Sequence, residues 1–407
     1  MTQSSTAAVP STQTAFSFAV DLNVVFGLNR YKELPSLMKE RGWARPGLVI
    51  DGSIVNSAPA VDLLGLLRNE FGAEIQSLET RTTGEPDYDY LDECANVFRA
   101  ADIDCLIGVG GGSAMDVCKG ICVLLKNPGK GIEYRGMNLV RFPSLPAILV
   151  PTTAGTGSEA TFTAVFVDAA NKTKMGINGR NVGCQLAVLD PAFTASCPRR
   201  VAVGAGLDAM VHSLEAFMTT RSNPIIFELG QLAWCHLFRA FPAAVNDPEA
   251  HEARLQMQIG SFLAGITLAY SGGGIAGALS YPLGGEFAVP HGLAGGLLIR
   301  YIISENLKRG YRDYAELYSR MFPEESALSV DERCQRFHDR FVQMLSAIGA
   351  PPDFSGYSVR SGDIPRIIDQ TLSQRSAVLK NNPIPVDQQL LTNILEPVVP
   401  RGATRVG

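Results

Sequence analysis

The sequence predicts an α/β half built on a parallel sheet, followed by an all-helical half. Three observations carry this. Short apolar runs alternate with longer amphipathic ones in the first half, a glycine-rich turn follows one buried strand directly, and the texture changes to helical periodicity near Cys197–Pro198. In order, Gly47–Asp51 (GLVID) reads as a strand and Val61–Phe71 as a helix. Ala73–Ser77 reads as a weak strand and Tyr88–Ala100 as a helix. Cys105–Val109 (CLIGV) is a strand running into the helix GGGSAMDVCKGICVLL, and Ala147–Val150 (AILV) is a further buried strand. Beyond Ala202 the spacing predicts helices over 205–219, 224–241, 252–271, 292–307 and 327–348, and no clear strand. The domains expected are a loose tail over 1–15, an α/β domain over 16–197 and a helical domain over 198–407, with a ligand cleft between the last two.

At 407 residues the chain is long enough for two cores, and 46% hydrophobic with 18% charged residues marks it as globular rather than disordered. A formal charge of −5 leaves no basic footprint for nucleic acid, so the expected partner is a small molecule. Eight scattered cysteines without a C-x-x-C pair read as free thiols in a reducing cytoplasm. The polar start MTQSSTAAVPSTQTAF lacks the pattern of a signal peptide. The uncharged stretch 260–285 is broken by Gly272–Gly274 and by Pro282, so it reads as a core helix and a turn rather than a membrane span.

Two loops carry the binding chemistry. Gly108-Val-Gly-Gly-Gly-Ser-Ala-Met-Asp116 turns a strand into a helix. Glycines there let a ligand approach the backbone, the helix start offers N–H groups to an anion, and Ser113 is placed to cap the helix and to donate to a phosphate. Pro151-Thr-Thr-Ala-Gly-Thr-Gly-Ser-Glu159 follows the next strand with four hydroxyls. Loops at the carboxyl ends of parallel strands line the crevice where nucleotides bind. Asp51 ends its strand where a carboxylate accepts from an adenosine ribose and repels a 2′-phosphate, which favours NAD over NADP; a simple turn aspartate is the other reading. In the helical half, Asp208 and His212 stand at i and i+4, and His291 follows a proline. Such a set suits a divalent cation.

The order of these pieces resembles the iron-containing (group III) alcohol dehydrogenase family. GGGSAMD with Lys119, PTTAGTGSEAT, LDP at Leu189–Pro191, GLDAMVHSLEAF, SNPI at Ser222–Ile225, YPLGGEFAVPHG and NNP at Asn381–Pro383 follow one another as its signatures do, from about Val24 to about Pro397. The resemblance implies a dehydroquinate synthase-like architecture: a dinucleotide-binding α/β domain and a helical domain. It implies that Asp51, Gly110, Gly111, Ser113, Asp116, Thr152, Thr153, Ser158 and Lys174 lie along NAD(P), and that Asp208, His212 and His291 hold zinc or iron. It also implies a further metal-ligand histidine fourteen positions before His291 and a second histidine four residues later. Here those positions are Gly277 and Tyr281.

The activity implied is reduction of a small aldehyde or ketone to an alcohol, or the reverse. Three forms stand open. A cation stays on Asp208, His212 and His291 with water as the fourth ligand. Alternatively, no metal binds and Tyr281 or His291 supplies the proton. In the third, the scaffold binds NAD but does other chemistry, or none. Glu215 and Glu286 are additional acidic groups by the motif, and Glu286 is a candidate substitute ligand. A homo-oligomer, commonly a dimer, is expected, with no membrane and no nucleic acid among its partners.

Overall fold

In the computed structural model, which describes residues 15–81, 84–171, 173–247 and 249–402, the first half of the chain winds around a six-stranded sheet. The expected tail over 1–15 lies almost wholly outside the described residues. The elements run β1 (Asn23–Phe26), α1 (Leu34–Glu40), β2 (Pro46–Asp51), α2 (Ala58–Phe71), β3 (Ser77–Thr80), α3 (Tyr88–Arg99), β4 (Cys105–Gly110) and α4 (Gly112–Leu124). They continue with β5 (Gly136–Met137), β6 (Ala147–Pro151), β7 (Thr163–Asp168), β8 (Thr173–Asn178), β9 (Leu186–Leu189) and α5 (Pro191–Thr194). The strand order is β1-β9-β6-β4-β2-β3, and all pairings in this sheet are parallel.

The four central strands β2, β4, β6 and β9 are apolar almost throughout because both faces are covered. Leu48 and Ile50 enter one core with α1 and α2, while Val49 between them enters the other with α3 and α4. The same alternation separates Ile107 from Leu106 and Ile148 from Leu149. From β2 the chain passes outward to β3 and then returns to β4 on the opposite side of β2. The strand order therefore reverses between β2 and β4, which puts the loops after those strands at the crevice where α/β sheets bind ligands.

The helical half contains α6 (Arg199–Met218), α7 (Pro224–Asn246), α8 (His251–Ser271), α9 (Ile275–Phe287), α10 (His291–Lys308), α11 (Tyr314–Met321), α12 (Val330–Ala347), α13 (Ile364–Leu379) and α14 (Gln388–Leu395). Among the described residues it has no strand. Two compact units result. Ala19–Pro198 with Pro248–Ala269 form one, and Arg199–Asp247 with Tyr270–Gly407 form the core of the other. Most of α8 thus packs with the sheet. Gly265 allows it: a Cβ there would stand 2.9 Å from the Cα of Gly157, so bare backbone meets bare backbone. Gln258 on the same helix reaches the carbonyls of Pro151 and Asp190. In the second unit α6 packs on α7 and α10, and Trp234, Phe337, Phe341 and Tyr314 stack into an aromatic core.

Several expectations are corrected. The weak strand lies at Ser77–Thr80 rather than 73–77, and β1, β9 and the β7–β8 antiparallel hairpin were not foreseen. Pro282 does not break the chain. It sits inside α9, where it forfeits one helical N–H bond, and the break is confined to Gly272–Gly274. Helix α4 is capped by Gly111 without a side-chain bond, so Ser113 lies exposed in the first turn and is not the cap.

Candidate active site

The nucleotide loops are shaped by close approaches. A Cβ on Gly110 would lie 2.6 Å from that of Ala114 and 3.0 Å from that of Asp51, and one on Gly112 would meet Thr156 at 2.6 Å. Only glycine fits both places, and the uncapped start of α4 leaves its first N–H groups open to an anion. Thr153 borders Gly111, and the N–H of Thr152 donates to the Gly110 carbonyl at 3.0 Å, tying the two loops together. Asp51 holds both roles open. Its Oδ1 accepts from the N–H and hydroxyl of Ser53, at 2.9 and 2.7 Å, as a turn aspartate does, and Oδ2 stays outside that turn.

Asp116 and Ser158 are occupied with each other. The Ser158 hydroxyl donates to Asp116 Oδ1 at 2.6 Å, and the Val165 N–H donates to Oδ2 at 3.0 Å. Beside them the buried Lys119 ammonium lies 3.3 Å from Asp116 and donates to the Ser158 carbonyl, the Thr161 hydroxyl and the Thr163 carbonyl. This is a closed polar brace behind the loop. Lys174 on β8 pairs with Glu85 at 2.9 Å. Glu159 is buried next to the brace, and burial pushes its carboxyl up to about 7, with its own backbone bond and Lys119 acting against the rise.

In the helical unit, α6 aligns Asp208, His212 and Glu215 at i, i+4 and i+7 on one face. His212 Nε2 lies 3.7 Å from Asp208 Oδ1, and its Nδ1 is buried without a partner among the described residues. Gly292 lets α10 begin directly against α6, because a Cβ there would come within 2.6 Å of the Asp208 Cβ. His291, the first residue of α10, meets Tyr281 of α9 edge to face, with ring centroids 5.2 Å apart. Gly277 and Tyr281 share a face of α9, and beyond a Cβ on Gly277 only Glu215 Oε2 lies within 4 Å, at 3.5 Å. Glu215 itself accepts from the N–H groups of Gly274 (2.6 Å), Ala276 (2.8 Å) and Gly277 (3.3 Å). Burial raises its carboxyl to about 7 against those three bonds.

The donor set does not fit a metal ion well. Asp208 and His212 converge as a pair, but among the described residues no group of three or more His, Cys, Asp or Glu side chains gathers closely enough to hold one. His291 is in contact with Tyr281, and position 277 contributes no donor. Glu286 is not a substitute ligand, since its carboxylate is taken up by Arg366 and Gln370 of α13.

One residue of this site went unnoticed in the sequence. Arg375 lies on α13, at a point where the helix breaks (φ −125°, ψ 15°), and its guanidinium carbon sits 3.7 Å from the Tyr281 ring centroid. Nothing local in the sequence marks it, because its significance comes from the packing of α13 on α9.

A parallel sheet with an open glycine turn at its switch point is the architecture on which dinucleotides bind. The chain belongs to the iron-containing alcohol dehydrogenase family: residues 22–191 match the family of that name, and residues 202–399 match its C-terminal domain. It is an NAD(P)-dependent alcohol dehydrogenase or aldehyde reductase. A sulfoacetaldehyde reductase of Bilophila wadsworthia (strain 3_1_6) is 30% identical over 375 residues, 92% of this chain and 96% of that protein. An NAD-dependent methanol dehydrogenase of Bacillus methanolicus is 26% identical over 340 residues, 84% and 89% of the two chains. The crystal structure of a 1,3-propanediol oxidoreductase superposes with a TM-score of 0.87 at 24% identity, covering 94% of this chain and 99% of the other.

Proposed function

We propose that this chain reduces a short aldehyde with NADH and that the proton comes from the Tyr281–His291 pair, without a bound metal as Lewis acid. The observation that carries the reading is the edge-to-face contact of those two rings on the face of α9 left open by Gly277. The Bilophila wadsworthia relative is named for a two-carbon aldehyde, so short aldehydes are where the activity is sought.

Asp51, the glycines at 110–112, Thr152 and Thr153 would hold the dinucleotide, with the start of α4 facing its phosphates. When bound, the nicotinamide supplies a hydride for the carbonyl carbon. The Tyr281 hydroxyl would donate its proton to the carbonyl oxygen, which becomes the alcohol hydroxyl, and the tyrosinate left would regain a proton from water or from His291, which packs edge to face against it. Asp208, with Gly292 packed over its Cβ, fixes where α10 begins and so positions His291. Glu286 is taken up by Arg366 and Gln370.

The test is elemental analysis of the purified protein, paired with NADH oxidation on a short aldehyde before and after exhaustive chelation. Activity that survives is the expected result. Activity lost on chelation and restored by zinc or iron(II) would instead assign polarisation of the carbonyl to a metal held by Asp208, His212 and His291.

We further propose a cytoplasmic homo-oligomer. Free cysteines support the compartment, and Phe26 and Leu28, exposed at the β1 edge of the sheet, support self-association. Sedimentation at several concentrations tests the second point.

A further inference from the structure

We propose that Arg375 is a specificity-determining residue that binds an anionic group on the substrate, so that the aldehyde carries a carboxylate or sulfonate close to its carbonyl carbon. This rests on Tyr281 and His291 being the reacting end of the site. Arg375 is the charged group there whose charge has no answer. Glu286 is held by Arg366 and Gln370, Asp208 lies beside His212, and Glu215 is taken up by three backbone N–H groups. Among the described residues Arg375 has no hydrogen-bond acceptor and no carboxylate, and its Nε is buried without a partner.

A guanidinium stacked on an aromatic ring uses its face and leaves its edge donors free, and those donors match a planar or tetrahedral oxyanion in pairs. The helix break at Arg375 gives the backbone at this point a conformation that a continuous helix would not have. Room for the ligand lies on the same side of α9, where Gly277 carries no side chain and only Glu215 Oε2 comes within 4 Å of a Cβ built there. The guanidinium lies over the face of the ring whose edge carries the reacting hydroxyl. A substrate touching both has its acid group only a short reach from its carbonyl.

Two measurements test this. In the first, kcat/KM is compared for sulfoacetaldehyde, glyoxylate and neutral propanal. The wild type should favour at least one anion by about tenfold or more, and Arg375→Gln should lower the anion-to-propanal ratio by about a hundredfold, mainly through KM. Arg375→Lys, which keeps the charge, should retain part of that ratio. A sulfonate preference without a carboxylate preference assigns a tetrahedral oxyanion, and the converse a planar one. A wild type that favours propanal, or a ratio unmoved in Arg375→Gln, overturns the proposal. In the second, calorimetry follows binding of 2-hydroxyethanesulfonate and of glycolate to the wild type and to Arg375→Gln in the presence of NAD. Binding of either that is weakened in the variant supports the anion site even if no aldehyde is turned over, in which case it is the proton-donor reading that fails. Propanal turnover with no binding of either anion overturns the anion site and leaves the reductase standing.

Discussion

The Lys119 brace and the surroundings of α9 handle buried polar groups in opposite ways. Behind the nucleotide loops, Lys119, Asp116, Ser158 and the carbonyl of Thr163 satisfy one another in a closed brace. Around α9, His212 Nδ1 and Arg375 Nε are left without partners among the described residues. An unsatisfied buried group costs about 1–3 kcal/mol, so it persists where something else is served by it. The brace fixes the shape of the loop in front of it. The face of α9 leaves donors unspent, which is what the anion proposal puts to use.

That contrast can be broken from either side. Lys119→Met should have the largest effect, a loss of about 3–5 kcal/mol of stability, because it removes a buried charge and strands the acceptors around it; urea unfolding with NADH absent measures it. Tyr281→Phe should leave the fold intact and lower kcat and kcat/KM together by about a hundredfold, as loss of a proton donor does. A change confined to KM would mean that the ring only fills space.

Glu159→Gln sharpens the comparison through pH. The folded carboxyl sits at about 7 and the unfolded one near its ordinary 4.5, so the native state holds the extra proton between those values. Stability therefore falls as pH rises from 4.5 to 7, and the penalty is complete above 7. The glutamine variant should be more stable than the wild type at pH 8 by roughly 2–3 kcal/mol, and about equal at pH 4.5. Thermal melts across that range check the sign. Glu215 titrates over the same window and persists in the variant, so some pH dependence should remain. The smallest effect is expected for Asp51→Ala, about tenfold weaker NADH binding with NADPH little changed, read by fluorescence titration.

What the sequence made legible was what neighbouring residues decide among themselves. The CLIGVGGGSAMD turn is set by a buried strand, three glycines and a helix start in one short run, and it was placed correctly. The β7–β8 hairpin is not legible because the outward positions of TAVFVD, Val165 and Val167, are apolar like the inward ones, so its alternating burial does not show as an alternating sequence. The Pro282 break failed because tertiary packing keeps α9 helical on both sides of the proline. Asp208, His212 and His291 were legible as a motif, yet whether they gather around one point depends on rings and carboxylates contributed by other helices. Arg375 was not legible at all, since a lone arginine in a polar helix says nothing until Tyr281 lies beneath it.

Position 277 has a consequence for how fixed this chemistry is. Outside its own helix backbone and among the described residues, a Cβ there meets one carboxylate oxygen, Glu215 Oε2, at the ordinary contact distance of 3.5 Å. The first atom of a side chain at this position therefore fits without moving the helix. Gly277→His therefore tests whether this face accepts an imidazole donor, read as metal uptake by the variant against the wild type.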